Sequence, residues 1–154
     1  MRVLRLLISA LVLVVATSCE DTFQPIKSYP TLESIADTKW YSYDAMTNTY
    51  YDIYYEASTG HMDGFDSAER TNKISERTFS YTFTPAAGGL DAIVNLRFED
   101  NAQLYGGILI PKGNIQINNH EVYIIQLYEL TANGEEIAKD ENGNIKSTLQ
   151  MWME

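Results

Sequence analysis

The residues able to do covalent chemistry are few. The chain holds one cysteine, Cys19, and two histidines, His61 and His120, against 21 acidic residues. A nucleophile needs an adjacent base, and only the two histidines titrate near neutrality. His61 follows the turn glycine Gly60, and His120 follows Asn118-Asn119, so loop edges are expected for both. No Gly-x-Ser-x-Gly elbow, His-Glu-x-x-His pair or phosphate loop occurs. Metal binding needs convergent ligands. Asp140-Glu141-Asn142-Gly143-Asn144 begins like a calcium loop, but Ile145 stands where the turn glycine belongs and Met151 where the bidentate glutamate belongs. A hairpin turn is expected there. His61, Asp63, Asp66 and Glu69 form a second acidic stretch, read as a solvated loop. An acid pair drawn from so many carboxylates has no specificity. A non-enzyme with no cofactor and no metal is expected.

The elements that must position these residues begin with the N-terminal segment. Arg2 and Arg5 precede an apolar run from Leu6 to Ala16, interrupted by Ser9. The run has the length of a signal-peptide core and is too short to span a bilayer. Small residues follow at Ala16, Thr17 and Ser18, then Cys19, Glu20 and Asp21. Ala16-Thr17-Ser18-Cys19 resembles the lipobox of bacterial lipoprotein precursors, with Ala16 where leucine is commoner. The resemblance implies a cleaved signal peptide over 1–18. It also implies a diacylglycerol on the Cys19 thiol and an acyl chain on the new amine. Several acyl chains give stable anchoring where one does not. Glu20-Asp21 is similar to the export signal of Bacteroidota-type surface lipoproteins, which implies an outer-membrane protein facing outward.

Residues 19–30 read as a lipidated tether, with Pro25, Ser28 and Pro30 interrupting it. The net charge of −10 becomes more negative once Arg2 and Arg5 are removed, which disfavours nucleic acid and anionic headgroups. A lone cysteine permits no internal disulfide, so a hydrophobic core must hold the domain at 31–154. A single helical turn is expected over Thr31–Asp37.

Eleven tyrosines and frequent threonine favour strands. Strands are expected at Lys39–Asp44, Thr49–Ala57, His61–Asp66 and Thr78–Thr84. A tight turn is expected at Ser58-Thr59-Gly60 and a loop over Ser67–Glu76. Tyr51, Ile53 and Tyr55 share one face, and Tyr50, Asp52, Tyr54 and Glu56 the other. Phe79, Tyr81 and Phe83 alternate with hydroxyl residues, the mark of a half-buried strand. Ala92, Val94, Leu96 and Phe98 line the next strand. Further strands are expected at Gln103–Ile110, with a bulge at Gly106-Gly107, and at Asn114–Asn118, Val122–Leu130 and Ile145–Met153. Asn133-Gly134 and Asn142-Gly143 signal hairpins. About eight or nine short strands without a βαβ pattern indicate an all-β, antiparallel barrel or sandwich.

Asp37-Thr38-Lys39-Trp40, the tyrosine-rich second strand, the Thr59-Gly60 turn and the Phe79-Tyr81-Phe83 strand resemble small lipocalin-like bacterial lipoproteins. Thr38 replaces the glycine that true lipocalins place before that Trp, and their later Thr-Asp-Tyr motif has no counterpart. The resemblance implies a lipocalin-like barrel. Trp40, Tyr50, Tyr54, Tyr81 and Trp152 are the candidate ligand-binding residues, with Tyr50 and Tyr54 as an exposed pair. Two functions stay open: a barrel binding a small apolar or glycan ligand, or a filled barrel docking another envelope protein. A cavity of a few hundred cubic ångströms separates them.

Overall fold

The structure, a computed structural model, describes residues 31–117 and 119–153. The signal peptide expected over 1–18 and the lipidated tether with Cys19 over 19–30 lie outside the described residues. So do Asn118 and Glu154. Eight strands run β1 (Thr38–Asp44), β2 (Thr49–Tyr55), β3 (Thr59–Phe65), β4 (Lys73–Thr84), β5 (Ala92–Phe98), β6 (Leu104–Ile117), β7 (His120–Glu129) and β8 (Thr148–Met153). They close in sequence order as an antiparallel barrel.

Alternation decides which side chains enter. β5 buries Ala92, Val94, Leu96 and Phe98 and exposes the residues between them. Phe79, opposite Phe98, sits in the same interior with Trp40, Ile53, Tyr55 and Met151. Aromatic edges meet faces there: Tyr55 lies 5.3 Å from Phe79, and Phe79 5.8 Å from Phe98. Each such fully buried side chain contributes roughly 1.5–3 kcal/mol. Gly60 leaves room for this packing, since a Cβ there would stand 2.5 Å from the Phe79 ring.

The count of eight has a physical origin. Of the stretch Asn114–Asn118, expected as a separate strand, the described residues 114–117 continue β6 through a register shift between Ile110 and Ile115. Pro111 has no N–H to donate, so the ladder lapses and then resumes. Gly106-Gly107 carries no bulge, because the ladders to β5 and β7 run straight through both residues. Gly107 is instead a close approach: a Cβ would lie 1.9 Å from the Gln126 carbonyl oxygen. β4 begins at Lys73 rather than Thr78, so the expected Ser67–Glu76 loop is shorter. Its polar first half is held by backbone pairing to Asp63 and Gly64 of β3. β3 begins at Thr59, since the turn closes one step earlier, with the Glu56 N–H donating to the Thr59 carbonyl. β8 begins at Thr148, because Ile145 and Lys146 pair with Lys139 and Ala138 in the preceding arm.

The helical turn expected over Thr31–Asp37 does not form. The Ser34 hydroxyl accepts the Ala36 N–H at 3.0 Å, and no helical bonds follow. Ile35 is fully buried and Leu32 packs against the core, so this segment plugs one end of the barrel. The plug is tied down by Thr38, whose hydroxyl donates to the Ile35 carbonyl and accepts the Trp40 indole N–H at 2.8 Å. The opposite end, the mouth, carries the Asp44–Thr49 turn, the Phe65–Lys73 loop, the Phe98–Leu104 turn and the 130–147 arm.

Candidate functional site

The interior is filled at the plugged end and hollow at the mouth. Following β4 inward from Phe83 through Tyr81 and Phe79 leads by period two to Arg77. Arg77 pairs with Met62, so its side chain points into the barrel. At this level a cavity of about 550 Å³ opens, lined from inside by Tyr51, Met62, Arg77, Phe98 and Tyr105, from the arm by 145–147 and from β8 by 148–150. That volume is on the scale of ligand pockets.

Arg77 is held from two sides. Its guanidinium lies 3.7 Å above the Phe98 ring, a cation–π contact. Its Nε and Nη2 donate to the two Asp100 oxygens at 2.7 and 2.9 Å, a bidentate fork. That hydrogen bonding holds the Asp100 carboxyl below the usual carboxylate range. The Tyr105 hydroxyl meets Ser147 Oγ at 3.0 Å, joining the barrel wall to the arm. Burial pushes the Tyr105 phenol up, against the opposing Ser147 hydrogen bond. Glu129, 5% exposed, accepts from Gln103 Nε2 at 2.9 Å and from Lys146 Nζ at 2.7 Å. The arm is thereby pinned beside the opening.

The barrel is least tightly sewn where it closes. β1 and β8 share a single register pair, Tyr41 with Trp152, among the described residues. Toward the mouth the Ser42 hydroxyl donates to the Gln150 carbonyl at 2.6 Å in place of a ladder bond. The cavity reaches this seam, where Tyr43, Met46 and Trp152 border it.

The five aromatic candidates are not brought together. Trp40 is fully buried in the packed half, and Tyr81 reaches the Glu56 carbonyl at the plugged end. Tyr50 and Tyr54 stand on the outer wall, half-buried rather than exposed. Trp152 alone borders the cavity. On that outer wall Asp52, 5% exposed, lies between Lys39 and Arg70, each 2.7 Å away. The Arg70 contact is ionic without an aligned hydrogen bond. Lys39 stands over the Tyr41 and Tyr54 rings and Arg70 over Tyr41 and Tyr50. Partial burial opposes the Lys39 charge, but hydrogen bonds to Asp52 and Tyr54 win and raise its pKa.

Among the described residues no three His, Cys, Asp or Glu side chains converge on a metal-sized site. His61 stacks on Tyr54 at 4.7 Å, and neither histidine borders the cavity. Asp140 accepts the backbone N–H groups of Asn142 and Asn144, which closes a turn with Gly143 at φ 83°. A larger and more open recess, about 880 Å³, lies between the 101–104 turn and the arm. Backbone turns line much of it, and Glu129 is the one inward barrel side chain near it among the described residues, so the mouth cavity is the stronger site. Sequence reading missed Arg77, Tyr51, Phe98 and Tyr105. Extending the Phe79–Phe83 alternation two residues back was the available signal for Arg77.

No known protein family, curated protein or solved structure matches the chain.

Proposed function

We propose that the chain is a lipid-anchored outer-membrane lipoprotein, exposed at the cell surface, whose lipocalin-like barrel binds a small apolar or glycan ligand without catalysis. The observation that carries this reading is the cavity of about 550 Å³ at one end of an otherwise packed barrel. The described chain enters at the plugged end, where Leu32 and Ile35 seal the interior. An anchor at Cys19 would tether the barrel through its plugged end. A binding role asks for a preformed space with a few placed polar groups, and Arg77, Tyr105 and Ser147 supply them.

The second reading, a barrel that docks another envelope protein, is favoured by the tyrosine wall of Tyr41, Tyr43, Tyr50 and Tyr54. Surface rings of this kind, Tyr43 exposed and the others half-buried, serve as anchors at protein interfaces. The two readings separate in a thermal-shift screen of the full-length chain against fatty acids, sterols and oligosaccharides. A ligand at one hundred times its dissociation constant adds about 2.7 kcal/mol of apparent stability. A shift with any class supports the binding barrel. No shift with any class leaves the docking lipoprotein.

A further inference from the structure

We infer that the mouth cavity takes a neutral saccharide, held by the free edge of Arg77 and the hydroxyl of Tyr51. The inference rests on the binding-barrel reading above and narrows its ligand.

The side chains that face inward at the mouth argue against a purely apolar guest. In the packed half, the inward positions of β1, β2, β4 and β6 are Trp40, Ile53, Phe79 and Leu109, with no charge among them. At the mouth the same columns present Ser42, Tyr51, Arg77 and Tyr105 instead. An apolar ligand seated there would strip water from a guanidinium and several hydroxyls and return nothing to them. Met62 and Leu149 leave some apolar surface, of the size that the C–H face of a sugar ring covers.

Charge argues against an anion. Arg77 already spends two of its nitrogens on Asp100, and Lys146 is paired with Glu129. Both cations at the opening are thus neutralised, Asp44 borders the same space, and the chain as a whole carries −10. A ligand carboxylate or phosphate would meet a field of the wrong sign.

Hydrogen-bonding capacity is left over. Arg77 Nη1 has no acceptor, and the Tyr51 hydroxyl has no partner, among the described residues. The Tyr105–Ser147 pair shares one hydrogen between two hydroxyl oxygens, so further lone pairs remain. A fixed donor beside amphoteric hydroxyls suits a ligand whose own groups both donate and accept, as sugar hydroxyls do. The guanidinium is also pre-positioned: the Asp100 fork and the Phe98 ring fix it before any ligand arrives.

The test is isothermal titration of the full-length chain in detergent micelles, with protein-free micelles as the blank. The probes are the neutral sugars cellotriose, maltotriose, xylotriose and chitobiose, the anion digalacturonate, and the apolar probe 1-octanol. We expect a neutral sugar to bind, with affinity falling at least tenfold in Arg77→Met and severalfold in Tyr51→Phe. Tyr51→Phe removes one oxygen and leaves the ring, so it tests the site even if Arg77→Met unfolds the mouth. Tighter binding of digalacturonate, or equal sugar binding in both variants, overturns the inference. Binding of 1-octanol alone overturns it while leaving the binding barrel standing. No binding by any probe overturns both.

Discussion

Replacing Phe79 with alanine removes the ring at the centre of the packed half. Phe79 is fully buried, with Tyr55 and Phe98 meeting it edge-on and Gly60 beneath it. Gly60 has no side chain to move into the space, and Tyr55 is itself held by Trp40 and Tyr81. Collapse is therefore limited, and the cost belongs in the usual Phe→Ala range of about 3–5 kcal/mol. For a domain of this size that lowers the melting temperature by roughly 10 °C or more. The assay is urea denaturation of the full-length chain, with Thr82→Ala as the control on the same strand. Thr82 is exposed on the outer face, and its loss is worth within about 0.5 kcal/mol. Phe83 shares the inward face but is only half-buried at the plugged rim, so Phe83→Ala falls between the two. Equal costs at Phe79 and Thr82 would refute the inward register of β4.

Gly107→Ala places a methyl against the Gln126 carbonyl and destabilises by about 1–3 kcal/mol or more, read by the same denaturation. Acid weakens the fold: the Asp100 carboxyl, paired with Arg77, and the Asp140 carboxyl, bonded by the Asn144 N–H, titrate below their usual range. Their stabilisation is present above about pH 4 and is lost as pH falls through the folded values, so Asp140→Asn flattens the acid side of a stability–pH curve. At the other extreme, burial raises the Tyr55 phenol, whose neutral form is favoured in the fold. That contribution is complete below about pH 10 and disappears above it, which Tyr55→Phe abolishes in an alkaline titration. For the anchor, Cys19→Ala yields a soluble protein without acyl label in a membrane fractionation. Membrane-bound, labelled Cys19→Ala protein would reject the lipoprotein reading.

Period two made the inward faces legible. Phe79, Tyr81 and Phe83, the β5 set, and Leu149 with Met151 all lie where alternation puts them. Strand limits were harder. Lys73–Glu76 joins β4 through backbone pairing at a rim where all four residues are exposed, and the lone Ile74 gives no alternating hydrophobic signal. Pro111 looked like the end of a strand, but the ladder only lapses there and β6 resumes its pairing at Ile115. Trp152 sat on the correct face, yet what it touches depends on how β8 meets β1 across the closing seam, a pairing between the ends of the chain that local pattern cannot carry. The cavity was illegible for the same reason. Its walls come from β1 to β6, β8 and the arm, and only closure brings them together.

Whether a ligand sits inside the mouth of the barrel is read out by a crystal structure of the chain soaked with its strongest binder. The expected result is ligand density enclosed by Tyr51, Met62 and Arg77, with a ligand oxygen within hydrogen-bond distance of Arg77 Nη1. Density confined to the outer wall around Tyr41, Tyr50 and Tyr54, with the mouth empty, would contradict it.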